Sequence, residues 1–339
     1  MLNNKFKIGG RLVGKDEPCF IIAEAGVSHF GSFQKAIKLV DMAKEGGADA
    51  VKFQIFNVDK LIAGKDSKWK DRLAPRALPY SDFKKLSDYC NTKGIIFFAT
   101  AHDESSLEYL TKLNPPVYKI GSGEYKNHTF LKKIACLGKP VIFSTGMHSM
   151  QDVEDAVSSM ASTGNKDISV LQCVTEYPTS PEDVNLRVMD VYRRKFGDAV
   201  GFSDHTKGYH IPLAAAARGA KVIEKHITLE YDIPNAQDWK VSCGPENFVH
   251  FVSQVRDIEK ALGSSLKQAS AAELVNVKWA RKSIVTRHDL SVGDTIYETD
   301  LDIKRPGDGI APTELDKVIG KKLARAKKKD QLLAWEDFE

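Results

Sequence analysis

Gly201-Phe202-Ser203-Asp204-His205-Thr206, then Ile211-Pro212-Leu213-Ala214-Ala215-Ala216-Ala217, then Val222-Ile223-Glu224-Lys225-His226-Ile227: this stretch reads as one strand–helix–strand step. Two short apolar runs each end in a histidine, and the histidines stand 21 residues apart. The alanine-rich interval has helix-forming composition, and Gly219-Ala220 marks where the helix gives way to the next strand. Parallel strands need such a crossover, and if both runs belong to one parallel sheet the two imidazoles arrive side by side at its carboxyl edge. Neutral imidazole is a good ligand for Mn, Fe, Co or Zn, and two protein ligands leave positions open for substrate. A lone histidine at a strand end is ordinary polar decoration. A matched pair beside acidic and hydroxyl residues is a metal-site candidate.

The same step repeats outward from this point. Phe20-Ile21-Ile22-Ala23-Glu24, Ala50-Val51-Lys52-Phe53-Gln54, Ile95-Ile96-Phe97-Phe98-Ala99-Thr100 and Val117-Tyr118-Lys119-Ile120-Gly121 are short runs of buried-strand type. Pro140-Val141-Ile142-Phe143-Ser144-Thr145, Ile168-Ser169-Val170-Leu171-Gln172-Cys173, Ala199-Val200-Gly201-Phe202-Ser203 and Ala220-Lys221-Val222-Ile223-Glu224 continue the series. Stretches with apolar residues at helical spacing, such as residues 33–44, lie between them. Eight strand-like runs alternating with helices predict an α/β fold, a (β/α)8 barrel. A doubly wound open sheet is the alternative, but no GxGxxG or P-loop follows the first strand. Phe6-Lys7-Ile8-Gly9-Gly10-Arg11-Leu12-Val13 reads as a hairpin plugging the barrel floor. After Leu262 the texture changes, so residues 1–262 form the barrel, 263–280 a linker and 281–339 a small β-rich domain. Fewer than sixty residues make a thin core, so that last domain is expected to lean on a partner surface.

Composition excludes several classes. Of 339 residues, 42% are hydrophobic and 9% aromatic, values of a globular chain with a large core. The net charge of +4 is small, and the basic run 320–329 alternates with apolar residues, as a solvated face rather than a nucleic-acid arm does. Five cysteines without CxxC spacing fit a reducing cytoplasm. Met1-Leu2-Asn3-Asn4-Lys5 lacks the apolar core of a signal peptide, and no apolar run reaches membrane-spanning length.

In a barrel of this kind the carboxyl ends of the strands build the active site. Those ends carry Glu24, Lys52 with Gln54, Thr100, Lys119 with Ser122 and Glu124, Ser144 with Thr145, Thr175 with Tyr177, Ser203 with His205, and Glu224 with His226. Lys52 and Lys119 sit inside otherwise apolar runs, and a buried ammonium must meet a carboxylate or an anionic ligand. Pairing with Glu24 or Glu224 is one reading. Two lysines among Ser and Thr hydroxyls favour the other, a site for a phosphate and a carboxylate. A Schiff-base lysine is a competing functional reading.

The ordered set of motifs resembles the sialic acid synthase (N-acetylneuraminate synthase) family over nearly the whole chain. The resemblance rests on Ala23-Glu24-Ala25-Gly26-Val27 through Gly31, Val51-Lys52-Phe53-Gln54, Tyr118-Lys119-Ile120-Gly121-Ser122-Gly123-Glu124, Ser144-Thr145-Gly146-Met147, Glu176-Tyr177-Pro178, Ser203-Asp204-His205-Thr206 and Glu224-Lys225-His226. Ile303-Lys304-Arg305-Pro306-Gly307 resembles the antifreeze-like (SAF) module that ends these enzymes. The resemblance implies a transferase that condenses phosphoenolpyruvate with an open-chain N-acylated hexosamine. It implies metal ligands at His205 and His226, holding Mn2+ with Mg2+ or Co2+ as alternatives. Phosphoenolpyruvate contacts fall on Lys52, Thr100, Lys119, Ser122, Ser144 and Ser203, and proton-handling carboxylates on Glu24 and Asp238. Sugar contacts fall on Gln54, Thr175 and Tyr177. Arg305 matches the SAF arginine that reaches the partner's site, which implies a swapped homodimer.

Departures from the family pattern cluster where an acceptor sugar would sit. Ser28-His29-Phe30-Gly31 stands for Asn-His-Asn-Gly, and Ala101-His102 replaces Pro-Phe. Pro234-Asn235-Ala236-Gln237-Asp238-Trp239 replaces Pro-Gly-Pro-Asp-His, and Thr175 stands where some members have Asn. The expectation is retained chemistry in an altered acceptor pocket, on N-acetylmannosamine or a related amino sugar that replaces it. The rival readings are a metal-free Schiff-base aldolase, an aldose-phosphate condensing enzyme and a non-catalytic sugar-binding protein.

Overall fold

The structure, a computed structural model, describes residues 2–64, 68–234 and 236–339. β1 (Lys5–Ile8) and β2 (Arg11–Gly14) pair antiparallel as a hairpin. β3 (Phe20–Gly26), β4 (Ala50–Ile55), β5 (Ile96–Ala101) and β6 (Tyr118–Ile120) begin a parallel sheet. β7 (Val141–Ser144), β8 (Ile168–Cys173), β9 (Val200–Asp204) and β10 (Val222–His226) complete it. The sheet closes into an eight-stranded barrel because β10 pairs with both β9 and β3. The expected fold is therefore present, with every expected strand in place to within a few residues.

Helices cover the outer face, and their ends follow the sequence. Ser32 caps the helix Phe33–Glu45 by accepting from the Lys35 N–H, and that helix buries Ala36, Leu39, Val40 and Ala43. The alanine-rich crossover between the two histidine strands is the helix His210–Ala217. Inside the barrel, residues two apart on each strand point inward. Phe20, Ile22, Ala50, Phe98, Ile142, Leu171 and Val222 form an apolar plug with Phe6, Ile8 and Val13 of the hairpin. Gly201 belongs to this level because a Cβ there would lie 2.1 Å from the Val222 carbonyl oxygen. One inward step further up come Glu24, Lys52, Thr100, Lys119, Ser144, Cys173, Ser203 and Glu224, all buried.

The chain divides into two compact units, one ending at Gly263 and one covering Ser264–Glu339. The stretch expected as a linker, 263–280, carries the helix Ala271–Ala280, closed at its start by a reciprocal Ser270–Glu273 capping box. In the second unit β11 (Ser283–Thr286) and β12 (Leu301–Lys304) pair antiparallel. Its core gathers Ile284, Leu290, Ile296, Leu301, Ile310, Val318, Leu323 and Leu333.

Candidate active site

Of the residues expected at the site, all but Arg305, Glu124 and Thr145 line one cavity of about 320 Å3 at the carboxyl end of the barrel. Glu124 lines a neighbouring cavity, and Thr145 hydrogen-bonds to the Leu171 carbonyl and to Tyr192. Strand register brings the others together. Lys52 faces Glu24 across β3 and β4, Thr100 faces Lys119 across β5 and β6, and Ser203 faces Glu224 across β9 and β10.

The two lysines reach carboxylates, as one of the sequence readings required. Lys52 Nζ lies 2.8 Å from Glu24 Oε2 and 3.6 Å from Glu224 Oε2, and it donates to Thr100 Oγ1 at 3.2 Å. Lys119 Nζ donates to Ser144 Oγ at 2.7 Å and to the Ile120 carbonyl at 3.1 Å, with Glu224 Oε1 3.8 Å away. Ser203 Oγ donates to Glu224 Oε1 at 2.9 Å. Glu224 is thus the hub between both ammoniums and a hydroxyl, a role that the sequence reading gave only to a counter-ion. Burial and then neighbouring Glu224 raise the Glu24 carboxyl above its ordinary value, against Lys52. Burial opposes ionisation of Glu224 too, but Lys119, Lys52 and Ser203 outweigh it and hold that group lower. The two glutamates therefore part in proton affinity: Glu224 is the fixed anion and Glu24 the group able to carry a proton.

The histidines stand with ring centroids 5.4 Å apart. Their strand ends are tied together from behind by the fully buried Lys225–Asp204 pair, in which Lys225 also donates to the Thr206 carbonyl at 2.9 Å. His205 Nδ1 lies 2.6 Å from the Val174 carbonyl oxygen and so bears its proton there, which turns the Nε2 lone pair toward the cavity. The Tyr177 hydroxyl donates to that Nε2 at 2.9 Å, with the phenol stacked on the imidazole at 4.1 Å. His226 Nδ1 is buried with no hydrogen-bond partner. Burial first, then His205 and the lysines, keep His226 well below its usual protonation range, so it is neutral at pH 7. Two imidazoles lining one cavity fit one side of a divalent cation, which would take the place of the Tyr177 hydroxyl on His205 Nε2. Among the described residues no group of three or more His, Cys, Asp or Glu gathers around a single point. A cation here would draw its other ligands from substrate and water.

Ser122 Oγ accepts from the Gly146 N–H at 2.8 Å, and Cys173 Sγ lies 3.7 Å from both Ser122 Oγ and His205 Nδ1. Gly146 has no room for a side chain, because a Cβ would sit 2.1 Å from Thr175 Oγ1. Gln54 Nε2 donates to Glu24 Oε1 at 3.1 Å. Asp238, in the turn Asp238–Val241, faces the same cavity, and burial raises its carboxyl despite Arg76 and His205. Asn235 of that loop lies outside the described residues. Arg305 belongs to the second unit, with its guanidinium 5.1 Å from the Trp279 ring centroid.

Four lining residues were not named in the sequence reading at all: Trp69, Arg72, Leu73 and Arg76. The arginines follow β4, in the helix Lys68–Leu73 and the turn Ala74–Arg76. The length of that connection was the signal available, since a long β-to-α loop on this face of a barrel is active-site material.

Comparison with known proteins places this architecture. Residues 39–267 match the NeuB family and residues 281–339 the SAF domain. N,N'-diacetyllegionaminic acid synthase of Legionella pneumophila is 39% identical, covering 96% of this chain and 96% of its own. N-acetylneuraminate-9-phosphate synthase of Homo sapiens is 38% identical, covering 93% and 91%. The crystal structure of N-acetylneuraminic acid (sialic acid) synthetase from Leptospira borgpetersenii, in complex with citrate, superposes with a TM-score of 0.76 at 32% identity, over 81% of this chain and 96% of that one.

Proposed function

This chain belongs to the NeuB family, and we propose on that premise that it condenses phosphoenolpyruvate with the open-chain form of an N-acylated hexosamine, N-acetylmannosamine or a related amino sugar. The products are a sialic-acid-like 2-keto-3-deoxy sugar acid and inorganic phosphate. One observation carries this reading: two buried ammoniums, Lys52 and Lys119, open with the hydroxyls of Thr100, Ser144 and Ser203 onto a cavity that two paired imidazoles also line. That donor set suits a small, multiply anionic donor lying beside a polarised carbonyl.

In the proposed reaction Lys52, Lys119, Ser122 and Ser144 bind the phosphate and carboxylate of the donor, while Glu224 holds both lysines in place. His205 and His226 would hold a divalent ion, Mn2+ in the first instance, which when bound supplies Lewis acidity toward the acceptor aldehyde. The enol carbon bonds to the aldehyde carbon, water adds at the carbon bearing the phosphate ester, and phosphate leaves with C–O cleavage. Glu24 Oε1 or Asp238 accepts the proton of that water. Tyr177, whose hydroxyl burial keeps protonated, is a donor to the acceptor oxygens together with Gln54 and Thr175. Arg305 completes the site from a second copy. A homodimer is supported by the helix Ala271–Ala280, which leaves Leu274, Val275 and Trp279 exposed. A cytoplasmic location is part of the proposal; among the described residues no helix is long and apolar enough to cross a membrane.

The test is phosphate release from phosphoenolpyruvate, with mass spectrometry of the product. Release that requires both an amino-sugar acceptor and Mn2+, and stops on chelation, is the expected result. Borohydride trapping of a lysine adduct without phosphate release would replace this reading with a Schiff-base aldolase.

A further inference from the structure

His102 stands just past the end of β5, with its N–H bonded to the Ile55 carbonyl at 3.1 Å. On this strand Phe98 belongs to the apolar floor and Thr100 to the layer of lysines and hydroxyls, and His102 is one inward step further up. It lines the main cavity and also the neighbouring one of about 530 Å3. Neither of its ring nitrogens hydrogen-bonds to a described residue. We propose that His102 is a further donor-binding residue, whose imidazole gives an N–H to an anionic oxygen of phosphoenolpyruvate. This deepens, and rests on, the condensation reading above.

Position decides what the ring can serve. β5 lies between β4, which carries Lys52, and β6, which carries Lys119. β9, which leads into His205, stands on the opposite wall of the eight-stranded barrel. His102 therefore belongs with the lysines and not with the paired imidazoles. A Cβ on Gly121 would lie 3.7 Å from Thr100 Cγ2 and 3.9 Å from His102 Cε1, so the imidazole edge, Thr100 and the approach to Ser122 meet at one place. Cε1 is bonded to both ring nitrogens, so whichever of them carries the proton lies at this edge.

Charge explains why an imidazole suits that place. Lys52 and Lys119 already have Glu24 and Glu224 in range, and another buried cation would need another counter-ion. Desolvation first, then Lys52 and Lys119, hold the His102 imidazole down to about 4, against Asp103, so it is neutral at pH 7. A neutral imidazole keeps one N–H. It adds a directed contact to an anion without adding charge. The neighbouring cavity is lined by Asp103, Glu104, Glu108 and Glu124 with Lys60, which disfavours an anion there and leaves the main cavity as the side on which one binds. The Phe56 ring packs near edge-on to the imidazole, with centroids 6.4 Å apart. Ala101-His102 is also a point where this chain departs from the family pattern, so the contact is a feature of this chain and not of the fold.

The experiment is calorimetric titration of phosphoenolpyruvate into the full chain, with steady-state kinetics alongside, for wild type, His102→Phe and His102→Gln. Phenylalanine keeps a ring of similar size and removes the N–H, whereas glutamine supplies an N–H on a differently shaped side chain. His102→Phe should weaken donor binding and raise donor KM about tenfold, as expected for one hydrogen bond to a charged group, with acceptor KM little changed. His102→Gln should recover most of that loss, the reverse of what a packing role predicts. Unchanged donor binding in His102→Phe, with phosphate released as before, overturns the inference while the condensation reading stands. Equal loss in both variants also overturns it, making His102 a packing residue, and a rise in acceptor KM alone would assign the ring to the sugar instead. Donor binding that depends on His102 while no acceptor releases phosphate would sink the condensation reading and keep the contact. Wild-type protein that binds no phosphoenolpyruvate would remove both.

Discussion

One inward step along each barrel strand separates two layers of opposite character. Phe20, Ile22, Phe98, Ile142, Leu171 and Val222 fill the floor with the hairpin, and the buried Ser169, one inward step before Leu171, is a lone hydroxyl beside them. Two residues on, Glu24, Thr100, Ser144, Cys173 and Glu224 face a cavity, and Glu224 Oε2 and His226 Nδ1 there lack any hydrogen-bond partner. The same backbone thus supports a layer that stabilises the fold and a layer that costs it stability. Buried polar atoms left unsatisfied next to a well-packed core are the mark of groups kept for a ligand.

If this division is right, substitutions in the two layers fail in different ways. Phe98→Ala, in the fully buried floor, should cost about 3–5 kcal/mol of stability in urea unfolding. A loss below about 1 kcal/mol would mean that the floor is not a tight core. Acid should act next, through a fully buried histidine in the loop after β3. Burial holds the His29 imidazole down to about 4, against the Gly26 carbonyl, while the unfolded chain takes up that proton near 6.5. The unfolded state then binds more protons through this interval, so stability falls as pH drops from about 6.5 to 4, by on the order of 3 kcal/mol. His29→Asn should lessen the pH dependence of the urea midpoint, the remainder coming from His102 and His226, which burial likewise holds low. An unchanged slope would remove His29 as a contributor.

The chemical substitutions come next in size. His226→Ala should lower kcat by a factor on the order of 10² or more while the melting temperature holds or rises, because an unpartnered buried nitrogen is removed. Melting that falls as far as in Phe98→Ala would erase the distinction between the layers. Lys119→Ala should act chiefly on phosphoenolpyruvate, raising its KM about tenfold with a smaller change in kcat. A kcat defect at unchanged KM would assign Lys119 to the transition state instead.

How far the sequence carried this account follows from the same geometry. Parallel strands buried on both faces read as continuous apolar runs, so Phe20–Gly26 and Val222–His226 were legible, and a charged residue inside such a run, Lys52 or Lys119, stood out at once. The helix Ala271–Ala280 was hidden in a stretch taken as a linker, although Ser270 and Glu273 spell a capping box. Glu224 was visible, but its place between two lysines and Ser203 depends on register across strands far apart in sequence. Arg72 and Arg76 were hidden by composition, because Lys68-Trp69-Lys70-Asp71-Arg72 reads as a solvated surface helix and only the length of the connection after β4 pointed to the site. Only the return of that loop over the barrel mouth makes its cations functional candidates.

The most direct test of the reactive layer is calorimetric titration of phosphoenolpyruvate into the full-length protein without acceptor. The account predicts one site per chain, weakened about tenfold or more by Lys52→Met and by Lys119→Met, since each removes a charge-assisted contact to the donor. Binding at unchanged affinity in both variants would contradict it.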